Sequence, residues 1–292
     1  MLEQHLLRLA ADRIGRGERP VIGLNAPVGA GKSTFARHLQ QRFSAEGLAL
    51  AVVSIDDAYL PWQRRLEAMA GNPFGVNRVP PGSHEPERLA AAISAWRRGA
   101  RGDWLTLPRF DKTLRQGQGD RTSDWQGPAQ ALVLEGWLLA CEPLPPSAFG
   151  ARESLRWPER AELSAEEWSW LPRWNRALSA YGPLWRQLTE LVMLWPSRWD
   201  LPRRWRFQAE ARQRSSGGGW MSAQQLDPLV RSSLCSLPPR LYQWPLVQRA
   251  DLVRVLDGRR RSLWEGSGAD AVRHLERMGG AQSSSPSSSD TG

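Results

Sequence analysis

Short apolar runs alternate along this chain with stretches in which apolar residues return every three or four positions. The runs at 21–26 (VIGLNA), 49–55 (ALAVVSI), 131–139 (ALVLEGWLL), 190–195 (ELVMLW) and 252–256 (LVRVL) have the length and make-up of buried strands. Helical periodicity marks 2–14, 31–43, 86–98, 164–180, 200–214, 222–233 and 269–278. Strands and helices in alternation predict an α/β fold with a parallel sheet flanked by helices. We read 1–278 as one domain, with a helical insert at about 142–180 packed on the sheet edge. The tail from Gly279, rich in Ser and Gly, reads as disordered. The segment between the second and third strands is long and rich in Gly and Pro, which in a compact domain points to function.

The first strand runs into the loop Ala26-Pro27-Val28-Gly29-Ala30-Gly31-Lys32-Ser33-Thr34 and then a helix. Gly, four residues and Gly-Lys-Ser/Thr make the phosphate-loop signature, and strand before and helix after are the context that gives it meaning. The N–H groups of Gly29 to Ser33 would form an anion nest at a helix N-terminus. Gly29 and Gly31 permit backbone angles that a side chain would forbid. Lys32 is placed to bridge the β- and γ-phosphates, and Ser33 to offer its hydroxyl to Mg²⁺. Ala26 stands where the signature asks for its first Gly, but a methyl still allows close approach. Ala26, Gly29, Ala30, Gly31, Lys32, Ser33 and Thr34 are therefore the expected nucleotide contacts, and the fold class narrows to a P-loop NTPase-type sheet.

Three carboxylates stand at the ends of the second and third expected strands: Asp56 and Asp57 in SIDDAYL, and Glu135 in LVLEGW. Ligands of open parallel sheets sit beyond the carboxyl ends of strands. Acids delivered there can accept the proton of an attacking hydroxyl or hold Mg²⁺ and its waters. Asp57 reads equally well as the cap of a following helical turn.

The net charge of +9 raises nucleic acid as a partner. The basic residues are scattered, however, and the longest run is Arg259-Arg260-Arg261, so no nucleic-acid partner is expected. Only Lys32 and Lys112 of the 39 basic residues are lysine. In a chain that otherwise uses Arg, that marks Lys112 as a residue with a task, because a compact ammonium fits between oxygens where a guanidinium does not. Cys141 and Cys235 show no CxxC spacing, which argues against a disulfide framework or zinc site. No apolar run reaches the roughly 18 residues of a membrane span, and the first twenty residues read as an amphipathic helix rather than a leader. A cytoplasmic monomer without membrane contact is the expectation.

Six blocks in one order carry a resemblance: GLNAPVGAGKST, SIDDAYL, NPFGVNRVPPGSHEPERL, LPRFDKTLRQGQGDR, LVLEGW and RRWRFQAEARQRSSGGGWMS. Together, over roughly residues 20 to 260, they resemble the D-glycerate 3-kinase family, P-loop kinases of plants, fungi and cyanobacteria. The Asp-Asp-x-Tyr strand end is shared with uridine, pantothenate and ribulose-phosphate kinases; the PRFDK…GxGDR and RWRFQAE…GxxMS blocks are more specific. The first phosphate-loop position is commonly Ala in that group. The resemblance implies transfer of the ATP γ-phosphate, with Mg²⁺, to D-glycerate, giving 3-phosphoglycerate as in photorespiration. Asp56 then matches the proposed base, and Tyr59 the aromatic of the same motif. The chain departs from the family pattern in two blocks. Where the family has Arg-Gly-x-x-Gly-Thr-His-Asp, this chain has Arg78-Val79-Pro80-Pro81-Gly82-Ser83-His84-Glu85, and Phe110 replaces a Tyr.

A small carboxylate with two hydroxyls needs a cation and a base. Arg78, His84, Arg109, Lys112 and Arg121, with Asp57, Tyr59 and Asp111, are the candidate acceptor contacts. Ser33, Asp56 and Glu135 are the candidate metal holders. Arg203 and Arg206 share one face of a helix at 200–222 that resembles a lid over ATP, where arginines would neutralise charge on the moving phosphoryl group; an exposed helix with ion pairs to Glu210 is the alternative. Other acceptors stay open. A nucleoside could stack on Trp62 or Phe74, pantothenate would use the same architecture, and a nucleotide switch or ATPase would need no acceptor.

Overall fold

The structure, a computed structural model, describes residues 2–99, 104–149, 163–215 and 221–283. Among the described residues ten strands are found in chain order: β1 Val21–Asn25, β2 Leu50–Ser54, β3 Trp104–Leu107, β4 Phe110–Asp111, β5 Asp120–Arg121, β6 Trp125–Pro128, β7 Ala131–Gly136, β8 Glu190–Pro196, β9 Leu252–Leu256 and β10 Ser262–Gly266. Six form the main sheet, in the order β10-β9-β8-β1-β7-β2. Five of these are parallel, as the alternating pattern predicts; β10 returns antiparallel on β9 at the edge. The turn before β10 contains Arg259-Arg260-Arg261, and this polar hairpin gave no strand-like run to read from sequence.

Parallel strands with helices on both faces bury both sides, so their sequences read as continuous apolar runs. Alternate residues supply two cores. Val21, Ala51, Val53, Leu132 and Leu134 face one layer; Ile22, Leu24, Leu50, Val133 and Val192 face the other. Each such side chain, fully buried, contributes about 1.5–3 kcal/mol.

The predicted helices are present at Leu2–Gly15, Lys32–Ala45, Pro86–Arg98, Ala165–Ala177, Leu201–Ser215, Ala223–Cys235 and Gly268–Ser283. The last continues past the expected end at 278; residues 284–292 of the expected tail lie outside the described residues, as do 150–162 of the insert and the glycines 217–219. Among the described residues no helix is long and apolar enough to cross a membrane.

The long segment after β2 is built of two small ribbons, β3 with β6 and β4 with β5. The β4–β5 turn carries Lys112 and passes through four left-handed residues, Arg115, Gln116, Gly117 and Gly119. A Cβ on Gly119 would overlap the Phe110 ring, so this turn closes only with glycine there. The buried Arg65 guanidinium ties it down, donating to the carbonyls of Leu60 at 3.1 Å, Gln118 at 3.1 Å and Gly119 at 2.7 Å.

Val79 has φ 93°, at the position where the resemblance calls for Gly. A β-branched residue there is an outlier. Val79→Gly and Val79→Ala both remove its apolar contact with the core, but only glycine relaxes the backbone. The glycine variant is expected to exceed the alanine variant in stability by about 0.5–1 kcal/mol, read from urea midpoints. Equal midpoints would show an unstrained position.

Candidate active site

The register of three strands assembles the site. Leu24 of β1 and Ser54 of β2 both pair with Glu135 of β7. The phosphate loop after β1, the Asp56 turn after β2 and Glu135 therefore meet at one edge, and line one cleft of about 380 Å³.

Gly31 (φ 92°) caps the helix Lys32–Ala45, and Gly29 has φ 75°. Ala26 is not among the positive-φ residues, and its methyl is fully buried in the core. The position that departs from the signature thus makes no demand for glycine. Lys32 Nζ donates to the carbonyls of Ala26 (3.1 Å) and Pro27 (3.3 Å) and lies 4.0 Å from Glu135 Oε2. Burial pulls the Lys32 ammonium down although Glu135 opposes it, and pushes the Glu135 carboxyl up although Lys32 opposes it. Bound phosphates would reverse the first shift and a cation the second. Glu135 Oε2 is buried with no hydrogen-bond partner.

Asp56 leaves β2 in a turn over Ile55–Ala58 that Ser54 caps. Its Oδ2 accepts from Lys112 Nζ at 2.6 Å, and its Oδ1 faces His84 Nε2 at 3.8 Å. Burial alone would raise this carboxyl; Lys112 and His84 outweigh it and hold it well below the usual carboxylate range. In this structure Oδ2 of Asp56 is thus taken by Lys112, while Oδ1 faces the His84 ring.

Several expected acceptor contacts are engaged by the scaffold. Asp57 accepts from the N–H groups of Ser54 (3.0 Å) and Phe110 (3.2 Å) and from Arg109 (3.0 Å), so it caps the turn and anchors β4. Arg109 also donates to the Val52 carbonyl. Arg121 donates to the Tyr59 carbonyl and to Glu85 at 2.5 Å, which gives the substituted acid a structural task. Asp111 accepts from the N–H and hydroxyl of Thr113. Tyr59 is buried and stacks on His84, ring centroids 4.4 Å apart. Arg78 is the exception. It is 5 % exposed, donates to the Gly117 carbonyl at 2.9 Å, and has no carboxylate within 4.0 Å among the described residues. The Tyr59 hydroxyl is pushed well above its usual value by burial and by Asp56, while Arg78 opposes the shift. Asp56 and Arg78 thus act on one phenol.

The two helix arginines separate. Arg206 lines the cleft and pairs with Glu210 at 2.7 Å. Arg203 does not line the cleft; it is 63 % exposed and pairs with Asp227 on the following helix at 2.7 Å. Among the cleft residues not picked out as site residues from the sequence are Arg212, Trp137 and Arg260. Arg260 donates to the Gly29 carbonyl (2.6 Å) and the Trp205 carbonyl (2.7 Å), fastening the phosphate loop to the helix Leu201–Ser215. The run Arg259–Arg261 was the available signal.

A phosphate loop with its lysine, an acid at each neighbouring strand end and arginines across the cleft define a P-loop kinase. Comparison with known proteins agrees. No family model matches the chain. It is 28% identical over 253 residues to the chloroplastic D-glycerate 3-kinase of Arabidopsis thaliana, covering 81% of this chain and 52% of that protein. The chain thus spans about half the length of the plant relative. It is 30% identical over 200 residues to the uncharacterized kinase mug58 of Schizosaccharomyces pombe, covering 65% of this chain and 69% of that one. The structure of D-glycerate 3-kinase from Cryptococcus neoformans var. grubii has the same fold, with a TM-score of 0.77 at 22% identity over 91% of this chain and 99% of that one. The chain belongs to the D-glycerate 3-kinase family of P-loop kinases.

Gly29 packs directly against the helix Leu201–Ser215: a Cβ there would stand 2.6 Å from the Arg206 backbone N and 2.8 Å from Trp205 Cβ. Gly29→Ala must push loop and helix apart and strain φ as well. ATP affinity is expected to fall by about tenfold or more, about 1.4 kcal/mol, in a calorimetric titration. Unchanged affinity would mean that the loop binds phosphate without this packing.

Proposed function

We propose that this chain phosphorylates D-glycerate to 3-phosphoglycerate with ATP and Mg²⁺. The observation that supports this reading best is the pairing of Asp56 with Arg78. One is an ionised carboxylate beside the phosphate cleft; the other is a buried cation with no carboxylate partner among the described residues, and both act on the Tyr59 hydroxyl. An acceptor with a hydroxyl for Asp56 and a carboxylate for Arg78 matches that spacing of charge. A nucleoside has no carboxylate to answer Arg78, and Phe74 stacks on Trp174 within an apolar cluster instead of facing the cleft.

In this reading Lys32 and the Gly29–Ser33 amides hold the phosphates, and Arg206, Arg212 and Arg260 face the same cleft. Asp56 orients the acceptor hydroxyl and takes its proton as the phosphoryl group transfers. Lys112 can leave Asp56 for a phosphate oxygen, since its side chain is 55 % exposed and lines the cleft. Mg²⁺ fits the residues present. The buried, unpartnered Glu135 Oε2 and the Ser33 hydroxyl could hold it or its waters. Among the described residues no cluster of three or more His, Cys, Asp or Glu could hold a metal unaided, so the phosphates must complete its shell. When bound, Mg²⁺ neutralises charge on the phosphates. The cellular role would be the return of glycerate to 3-phosphoglycerate, as in photorespiration, by a cytoplasmic monomer with no nucleic-acid or membrane partner.

The test is coupled ADP release with ATP and Mg²⁺ in the presence of D-glycerate, L-glycerate, uridine or pantothenate. Turnover is expected with D-glycerate. Asp56→Asn should lose about 10²–10⁴-fold in kcat, and Arg78→Met should raise KM for D-glycerate more than it lowers kcat. Turnover with uridine or pantothenate would replace the acceptor. ADP release indifferent to every acceptor would favour a switch or ATPase.

A further inference from the structure

His84 was expected to touch the acceptor, yet its side chain is fully buried behind Asp56. An isolated bridge pairs the backbones of Tyr59 and His84, which holds their rings stacked. On its far side His84 Nδ1 lies 2.7 Å from the Tyr181 hydroxyl. Tyr181 ends the helical turn Leu178–Tyr181, which follows the helix Ala165–Ala177 of the insert.

The proton positions follow from the partners. Burial keeps the Tyr181 phenol protonated although the Gly82 N–H opposes it. The phenol proton therefore goes to His84 Nδ1, the acceptor within reach. Ser83 Oγ, 3.5 Å from the same nitrogen, donates instead to the Pro80 carbonyl at 2.7 Å. With Nδ1 accepting, a neutral imidazole must carry its hydrogen on Nε2. Nε2 is buried with no hydrogen-bond partner and faces Asp56 Oδ1 at 3.8 Å. That separation is too long for a hydrogen bond, but catalytic contacts of this kind tighten when substrate is bound.

We propose that Tyr181 and His84 form a positioning pair: Tyr181 fixes His84 as the Nε2–H tautomer, and that N–H steadies Oδ1 of Asp56 so that the carboxylate points at the acceptor hydroxyl. The inference rests on the reading of Asp56 as the base. It gives the helix Ala165–Ala177 a task, because the turn that follows it carries Tyr181. Lys112 on Oδ2 is exposed and displaceable; His84 on Oδ1 is walled in by Tyr59 and Tyr181 and remains when Lys112 leaves. Neither His84 nor Tyr181 lines the cleft, so both act through Asp56 rather than on the substrate.

Two measurements on the full chain test this. The first is ¹⁵N NMR of the imidazoles, with His84 assigned by its loss in His84→Gln. Wild-type protein should show His84 protonated at Nε2 and bare at Nδ1; an Nδ1–H tautomer would overturn the proposal whatever the acceptor is. The second is steady-state kinetics of Tyr181→Phe, His84→Ala and His84→Gln. Tyr181→Phe removes one oxygen and should lower kcat roughly ten- to a hundredfold while leaving KM for ATP unchanged. His84→Ala should lose more, and His84→Gln, whose amide N–H can reach the same oxygen, should recover part of that loss. Wild-type kcat in Tyr181→Phe, or a glutamine no better than alanine, would contradict the pair. Absent turnover of D-glycerate by the wild-type chain would instead count against the proposed substrate, and the tautomer would still decide the positioning pair.

Discussion

Parallel pairing in register holds the site together. Ser54 and Leu24 stand opposite Glu135 from two sides, so β1, β7 and β2 end level. A slip of one residue would turn every alternate side chain to the other face, exchanging the two cores and carrying Glu135 away from Lys32. The burial that keeps the strands in place also strips water from Lys32 and Glu135. Each is thereby pushed toward neutrality, and their 4.0 Å contact only partly offsets the loss. A site of this kind gains much from a phosphate chain and a cation, because those charges arrive where screening is weak.

The second constraint is the partnering of charge around Asp56. Many arginines surround the cleft, yet most are answered within the protein: Arg109 by Asp57, Arg121 by Glu85, Arg203 by Asp227. These pairs build walls and fix turns. Arg206, paired with Glu210, and Arg260, held on two carbonyls, still line the cleft beside Arg212, while Arg78 has no carboxylate within 4.0 Å among the described residues. Arg65 shows why a buried guanidinium need not serve a ligand. Backbone carbonyls take up its two terminal nitrogens, leaving Nε buried without a partner among the described residues; the Phe110 ring lies 4.7 Å away, and burial pulls the group down to about 10.

What the sequence made legible was local. Strands showed as apolar runs, helices as their period, and the phosphate loop and strand-end acids as spacing between neighbours. Even the departure at Ala26 was readable, since positive φ is confined to Gly29 and Gly31 in this loop. What stayed hidden lies between residues far apart in the chain. Arg109 and Asp57 are 52 positions apart, His84 and Tyr181 97, Arg260 and Gly29 231. No periodicity or spacing encodes such pairs, so the engagement of Arg109, Arg121 and Asp57 by the protein itself could not be read from the chain. For the same reason Tyr181 and Arg260 did not stand out. The edge strand β10 was missed because its exposed, polar hairpin lacks an apolar run.

The central claim is that the γ-phosphate moves from the Lys32 loop to a hydroxyl held at Asp56. The most direct test is ³¹P NMR of the protein with ATP, Mg²⁺ and D-glycerate. A phosphomonoester resonance should grow as the γ-phosphate signal falls, split by the two methylene protons on C3 as a 3-phosphate requires, where a 2-phosphate would couple to one. Growth of inorganic phosphate alone, with no phosphomonoester, would contradict it.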